Sequence, residues 1–110
     1  MKPYRFHREA DAEFTNALHY YSDLSPELGG RFYDEIAQMV ADVCAHPRRY
    51  RQIEPAVRRH LARRFPYGLL YIDEADRVWI VAVMPLKRHP DYWRYRLAEG
   101  GSSGGDQIAG

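Results

Sequence analysis

A chain of 110 residues has room for one hydrophobic core and one domain. Its 45% hydrophobic and 28% charged residues exclude wholesale disorder, and no apolar run approaches the roughly 18–20 residues of a membrane-spanning helix. The formal net charge of +1 hides a split: residues 1–46 carry four basic and eight acidic side chains, residues 47–98 twelve basic and five acidic ones. Such an asymmetry means either a basic surface suited to an anionic partner or an acidic helical face lying against basic strands. Cys44 is the single cysteine, so no intramolecular disulfide can form. The N-terminal stretch MKPYRFHREADAEF is charged throughout and lacks the apolar centre of a signal peptide. A cytoplasmic protein with no membrane association is expected.

Tyr4-Arg5-Phe6 reads as a short first strand. From Arg8 to Leu24, Ala10, Phe14, Ala17, Leu18 and Tyr21 recur at three- and four-residue spacing, which predicts a helix with one apolar face. Ser25-Pro26-Glu27 has the form of a second helix start, with Ser25 as N-cap and Pro26 at the first helical position. Gly29-Gly30 weakens that first turn, so the helix starts either there or nearer Arg31. Ile36, Met39, Val40, Val43 and Cys44 continue its period to His46-Pro47. The short connection predicts an antiparallel helical hairpin.

The period then changes. Val57 to Arg63 reads as a strand, although Val57, Leu61 and Phe65 are also four apart, as in a helix; the flanking Pro55 and Pro66 leave little room for one. Gly68–Ile72 and Val78–Met84 are apolar, β-branched and aromatic runs joined by the polar turn Asp73 to Arg77, a hairpin of two central strands with Val78–Met84 expected as the central strand of the sheet. Uniform runs of this kind are buried on both faces, or on one face plus a partner. The order β-α-α-β-β-β predicts an α+β fold, a helical hairpin packed on a small, mainly antiparallel sheet. Residues 1–98 are expected to form the domain and residues 99–110, rich in Gly and Ser, a flexible tail.

The hairpin followed by VRRHLARRFPYGLLYIDEADRVWIVAVMPLKRHPDYWRYR resembles the RelE/ParE superfamily of toxins from bacterial type II toxin–antitoxin systems, over roughly residues 1–97. The resemblance implies a cognate antitoxin, a toxin–antitoxin hetero-oligomer, and one of two activities. RelE-like members cleave mRNA, usually on the ribosome, with basic residues and often a tyrosine or histidine. ParE-like members poison DNA gyrase and need no hydrolytic site.

On the first alternative the resemblance puts Arg63, Arg88 and either Tyr92 or His89 in catalytic positions. Arg58, His60, Arg64 and Lys87 would then hold RNA or a partner. Cleavage through a ribose 2′-hydroxyl needs a proton acceptor, a proton donor and cations on the phosphorane. The segment 48–64 holds no lysine, where RelE-like members commonly use lysines, and arginine is a poor general base. Each of these residues also has a plain reading: arginines as solvated strand ends, His89 as a loop residue, Tyr92 and Trp93 as packing. Parity adds a constraint, because Val57 and Leu61 facing the helices would send Arg59 and Arg63 the same way. The five histidines show no metal-ligand spacing such as HExxH, so no metal and no cofactor are expected.

Overall fold

In the computed structural model, which describes residues 1–98, the expected helical hairpin packs on a five-stranded mixed sheet, an α+β fold. The tail over residues 99–110 lies outside the described residues. In chain order the elements are β1 (Tyr4–Phe6), α1 (Arg8–Leu24), α2 (Pro26–Ala45), β2 (Arg51–Glu54), β3 (Val57–Leu61), β4 (Tyr67–Asp73), β5 (Val78–Pro85) and α3 (Tyr95–Ala98). The sheet order is β1-β5-β4-β3-β2, with β1 parallel to β5 and the other pairs antiparallel.

Helix boundaries follow local chemistry. His7 caps α1, its Nδ1 accepting from Glu9 N–H at 3.0 Å. Ser25 Oγ accepts from Leu28 N–H at 3.3 Å, and Pro26 occupies the first helical turn, so α2 starts at Pro26 rather than at Arg31. Gly29 is a packing device here. A Cβ at that position would stand 2.8 Å from Ser22 Cα, so only glycine lets the two helices approach so closely at the hairpin bend.

Two elements were not foreseen. Arg51-Gln52-Ile53-Glu54 has a single apolar residue, the composition of a protected edge strand, and it pairs with β3 across a Pro55-Ala56 turn. The helix α3 is one turn long. Val57 to Leu61 is a strand as expected, two residues shorter than its predicted span. Val78 to Pro85 is an interior strand rather than the middle one, which is β4.

Both sheet faces are buried by the chain itself. The face under the hairpin packs Leu69, Tyr71, Val78, Ile80 and Val83 against Phe32, Ile36, Met39 and Val43. The opposite face packs Val57, Leu70, Trp79, Val81, Ala82 and Met84 under Trp93, which is 1% exposed and donates from Nε1 to Pro90 O at 2.6 Å. A bulge sets the division. Leu70 pairs with Ala82 and Tyr71 with Ile80, so Val81 is the extra residue, and Val81 and Ala82 both turn away from the helices.

The same register corrects the parity expected for β3. Val57 belongs to the face away from the helices, and Leu61 and Arg59 lie over Gly68 on that face. Arg58 and His60 are the ones that face the helices.

Candidate functional site

The predicted site residues fall into two groups. His60, Arg63 and Arg64 line a pocket of about 340 Å³ beside α2, together with Arg31, Glu35 and Asp42. Arg88 and Tyr92 line a second pocket of about 300 Å³ beside α1, with Glu9, Glu13, Tyr95 and Arg96. No residue is common to the two, so the structure does not bring Arg63 together with Arg88 and Tyr92 in one pocket.

The first pocket is built on contacts between α2 and the end of β3. Glu35 accepts the backbone N–H groups of Arg63 and Arg64, the latter at 3.0 Å, which fixes the chain as it leaves the strand. His60 stacks on Tyr50 with ring centroids 4.0 Å apart, and its Nε2 lies 3.0 Å from Asp42 Oδ2. Gln38 donates to the other Asp42 oxygen at 2.9 Å. Burial acts to raise the Asp42 pKa, but the Gln38 and His60 contacts outweigh it and hold the carboxyl below its ordinary value. A depressed folded-state pKa contributes stability above the unfolded value, which is lost as pH falls through the folded one. Asp42→Asn is therefore expected to flatten the acid limb of the stability profile below the ordinary 3.8, without changing its slope above neutrality. Urea midpoints measured from about pH 2 to about pH 9 check this, and an unchanged acid limb would refute it.

Arg58 does not face solvent as a free cation. Its Nη1 donates to Tyr50 O at 2.9 Å and Arg48 O at 3.3 Å, stitching the loop after α2 to β3. Lys87 and His89 are exposed, and His89 Nδ1 accepts from Asp91 N–H at 3.1 Å, a local turn contact.

The second pocket surrounds a buried ion pair that sequence reading did not single out. Strand β1 covers β5 only as far as Ile80, whose carbonyl accepts from His7 N–H at 2.8 Å. Beyond it, among the described residues, the β5 edge has no strand beside it. Side chains take over: Glu13 Oε1 accepts from Val83 N–H at 3.0 Å, and Arg96 Nη1 donates to Val81 O at 3.0 Å. Glu13 and Arg96 also meet each other at 2.8 and 3.0 Å. The Arg96 side chain is 4% exposed. Burial works against its charge, but the Glu13 carboxylate outweighs it and drives the Arg96 pKa further up.

Tyr92 joins the same hub, donating its hydroxyl to Glu13 Oε2 at 2.5 Å, and the Arg88 guanidinium lies 4.0 Å over its ring. Burial, then the neighbouring Glu13 carboxylate, push the Tyr92 pKa well above the ordinary tyrosine value. Tyr95 reaches Glu9 in the same way. A sequence signal for this hub existed: Glu13 lies between Ala10 and Ala17 on the apolar face of α1, and a carboxylate there requires a buried partner. Among the described residues, the Arg96 pairs with Glu9 and Glu13 are the ion pairs that join an arginine of the basic half to the acidic half.

The family model for the ParE toxin of the type II toxin–antitoxin system parDE matches residues 4–90. The chain belongs to the ParE toxin family. A chain from the chromosomal ParDE TA system from P. aeruginosa shares the fold, with a TM-score of 0.67 at 20% identity, covering 79% of this chain and 98% of that one. No curated protein matches this sequence. The part of this ParE-family toxin matched by the model contains Glu13, Arg63 and Arg88 and stops before Tyr92 and Arg96. Among the described residues, no helix is long and apolar enough to cross a membrane.

Proposed function

We propose that this ParE-family toxin, silenced by a cognate antitoxin, inhibits growth by binding DNA gyrase rather than by cleaving RNA. The observation that carries this reading is the state of Tyr92. A tyrosine that serves as proton acceptor must ionise near neutral pH, whereas burial and the Glu13 carboxylate hold this hydroxyl protonated and already donating. Arg63 lines a different pocket from Arg88 and Tyr92, which further disfavours one hydrolytic centre made from them. The match to the ParE family model favours the same side, since the ParE-like activity asks for a binding surface and no proton transfer.

Expression in a tester bacterium separates the two activities. An SOS response with filamentous cells is expected, along with inhibition of gyrase supercoiling by the purified protein. Early arrest of translation with cleaved messages would overturn the reading. The residue-level counterpart uses Tyr92→Phe and Arg88→Ala, both expected to remain toxic and to bind antitoxin normally. A transition-state donor at either position would instead cost about 2.7–4 kcal/mol, a hundred- to a thousand-fold in rate, with fold and antitoxin binding intact.

A further inference from the structure

We infer that Arg51 and Arg59 form the contact by which this toxin grips its target, and that the target offers an acidic, partly apolar surface segment there. The inference rests on inhibition by binding and names the surface that performs it.

Arg51 and Arg59 are direct partners across the β2–β3 pair. Residues opposite one another in an antiparallel pair share a face and stand about 5 Å apart at Cβ, and like charges so placed repel. Neither guanidinium has an ion-pair partner among the described residues. Arg59 is held there all the same. Its stem runs over Gly68, where an added Cβ would stand 3.4 Å from Arg59 Cγ, and its Nε is a buried donor with no protein acceptor. The other arginine of this strand, Arg58, is engaged through Nη1 with backbone carbonyls on the helix side. A standing repulsion with an unmet donor is a local cost, and such costs concentrate where a surface has a job beyond folding. A carboxylate set between the two guanidinia would remove the repulsion and accept from both forks.

The surroundings favour a protein segment over a nucleic acid. Leu61 lies on the same face beside Arg59, 45% exposed, and Glu54 on the same strand as Arg51 is acidic. A phosphodiester chain would call for a longer basic track. The surface also differs in kind from the groove of about 190 Å³ beside β1 and the hairpin, lined by Tyr4, Phe6, Phe14, Tyr33 and Ile36. Apolar area of that sort suits a long-lived neutralising partner. A pair of unmatched cations suits steered, specific encounter with a target.

The test compares Arg51→Ala, Arg59→Ala and the double variant with wild type, using Arg8→Ala as a charge-matched control. Supercoiling by the gyrase holoenzyme, antitoxin affinity and thermal midpoint are measured on each. The double variant is expected to lose about tenfold or more in gyrase inhibition. Its antitoxin affinity should be unchanged, and its midpoint unchanged or higher, because a repulsion has been removed. If wild type and the double variant inhibit gyrase equally, this contact is wrong while the reading of function stands. A parallel loss of antitoxin affinity would also overturn it, because the surface would then belong to the antitoxin. If wild type leaves gyrase untouched, the reading of function falls and the contact with it.

Discussion

Glu13→Ala is expected to destabilise the protein by about 3–5 kcal/mol, because it leaves the buried Arg96 charge with only the longer, more exposed contact to Glu9 at 3.7 Å as an ion pair. The carboxylate is the common acceptor for Val83 N–H, the Tyr92 hydroxyl and two Arg96 nitrogens. Many buried ion pairs can be replaced by apolar residues at little cost, since the desolvation penalty disappears along with the attraction. This pair differs, because each member also serves the backbone of β5. Replacing both with leucine would leave Val83 N–H and Val81 C=O without the partners that continue the sheet edge, and each orphaned buried group costs about 1–3 kcal/mol. The double variant should therefore remain less stable than wild type, and a double-mutant cycle in urea measures the coupling. A double variant as stable as wild type would show that the pair is not needed to complete the strand. Because the hub also anchors Tyr92, the single variant should loosen the segment over the second sheet face, seen as faster amide exchange at residues 91–98.

Ile80→Ala should cost about 2–5 kcal/mol, through lost transfer energy and the cavity left behind. Ile80 is 0% exposed, faces the helical hairpin and lies one residue before the bulge. Its neighbours are held by strands on both sides, so the site has little freedom to collapse around the missing atoms. Ile80→Val, which removes one methylene, should cost about 0.5–1.5 kcal/mol at the same site. Chemical denaturation of the three proteins gives the ratio, and an unchanged midpoint for the alanine variant would place Ile80 outside the core.

How much of this was legible beforehand differs by element. The spacing of Ala10, Phe14, Ala17 and Tyr21, and of Ile36, Met39, Val40 and Val43, determined both helices. Ser25-Pro26 marked one of two possible starts for the second, and the Ser25 cap seen in the structure chose between them. The apolar runs around Leu70 and Ile80 determined two inner strands, since a strand so uniformly apolar must be covered on both faces, by its own chain or by a partner. These are local properties, set by periodicity and caps, and they need no knowledge of what lies opposite.

The tertiary structure alone decided which side chains meet. The edge strand β2 carries too little hydrophobicity to announce itself, because an edge needs charge more than burial. Without it, Arg51 could not be seen opposite Arg59. The bulge at Val81 reverses the parity of β5, and the true register of β3 reverses the facing expected for Val57 and Arg59. A shift of one residue moves every side chain to the other face, and period-2 patterns cannot report it where both faces are apolar. Glu13 and Arg96 are far apart in the chain, and they meet because β1 is only three residues long and leaves the β5 edge for side chains to complete.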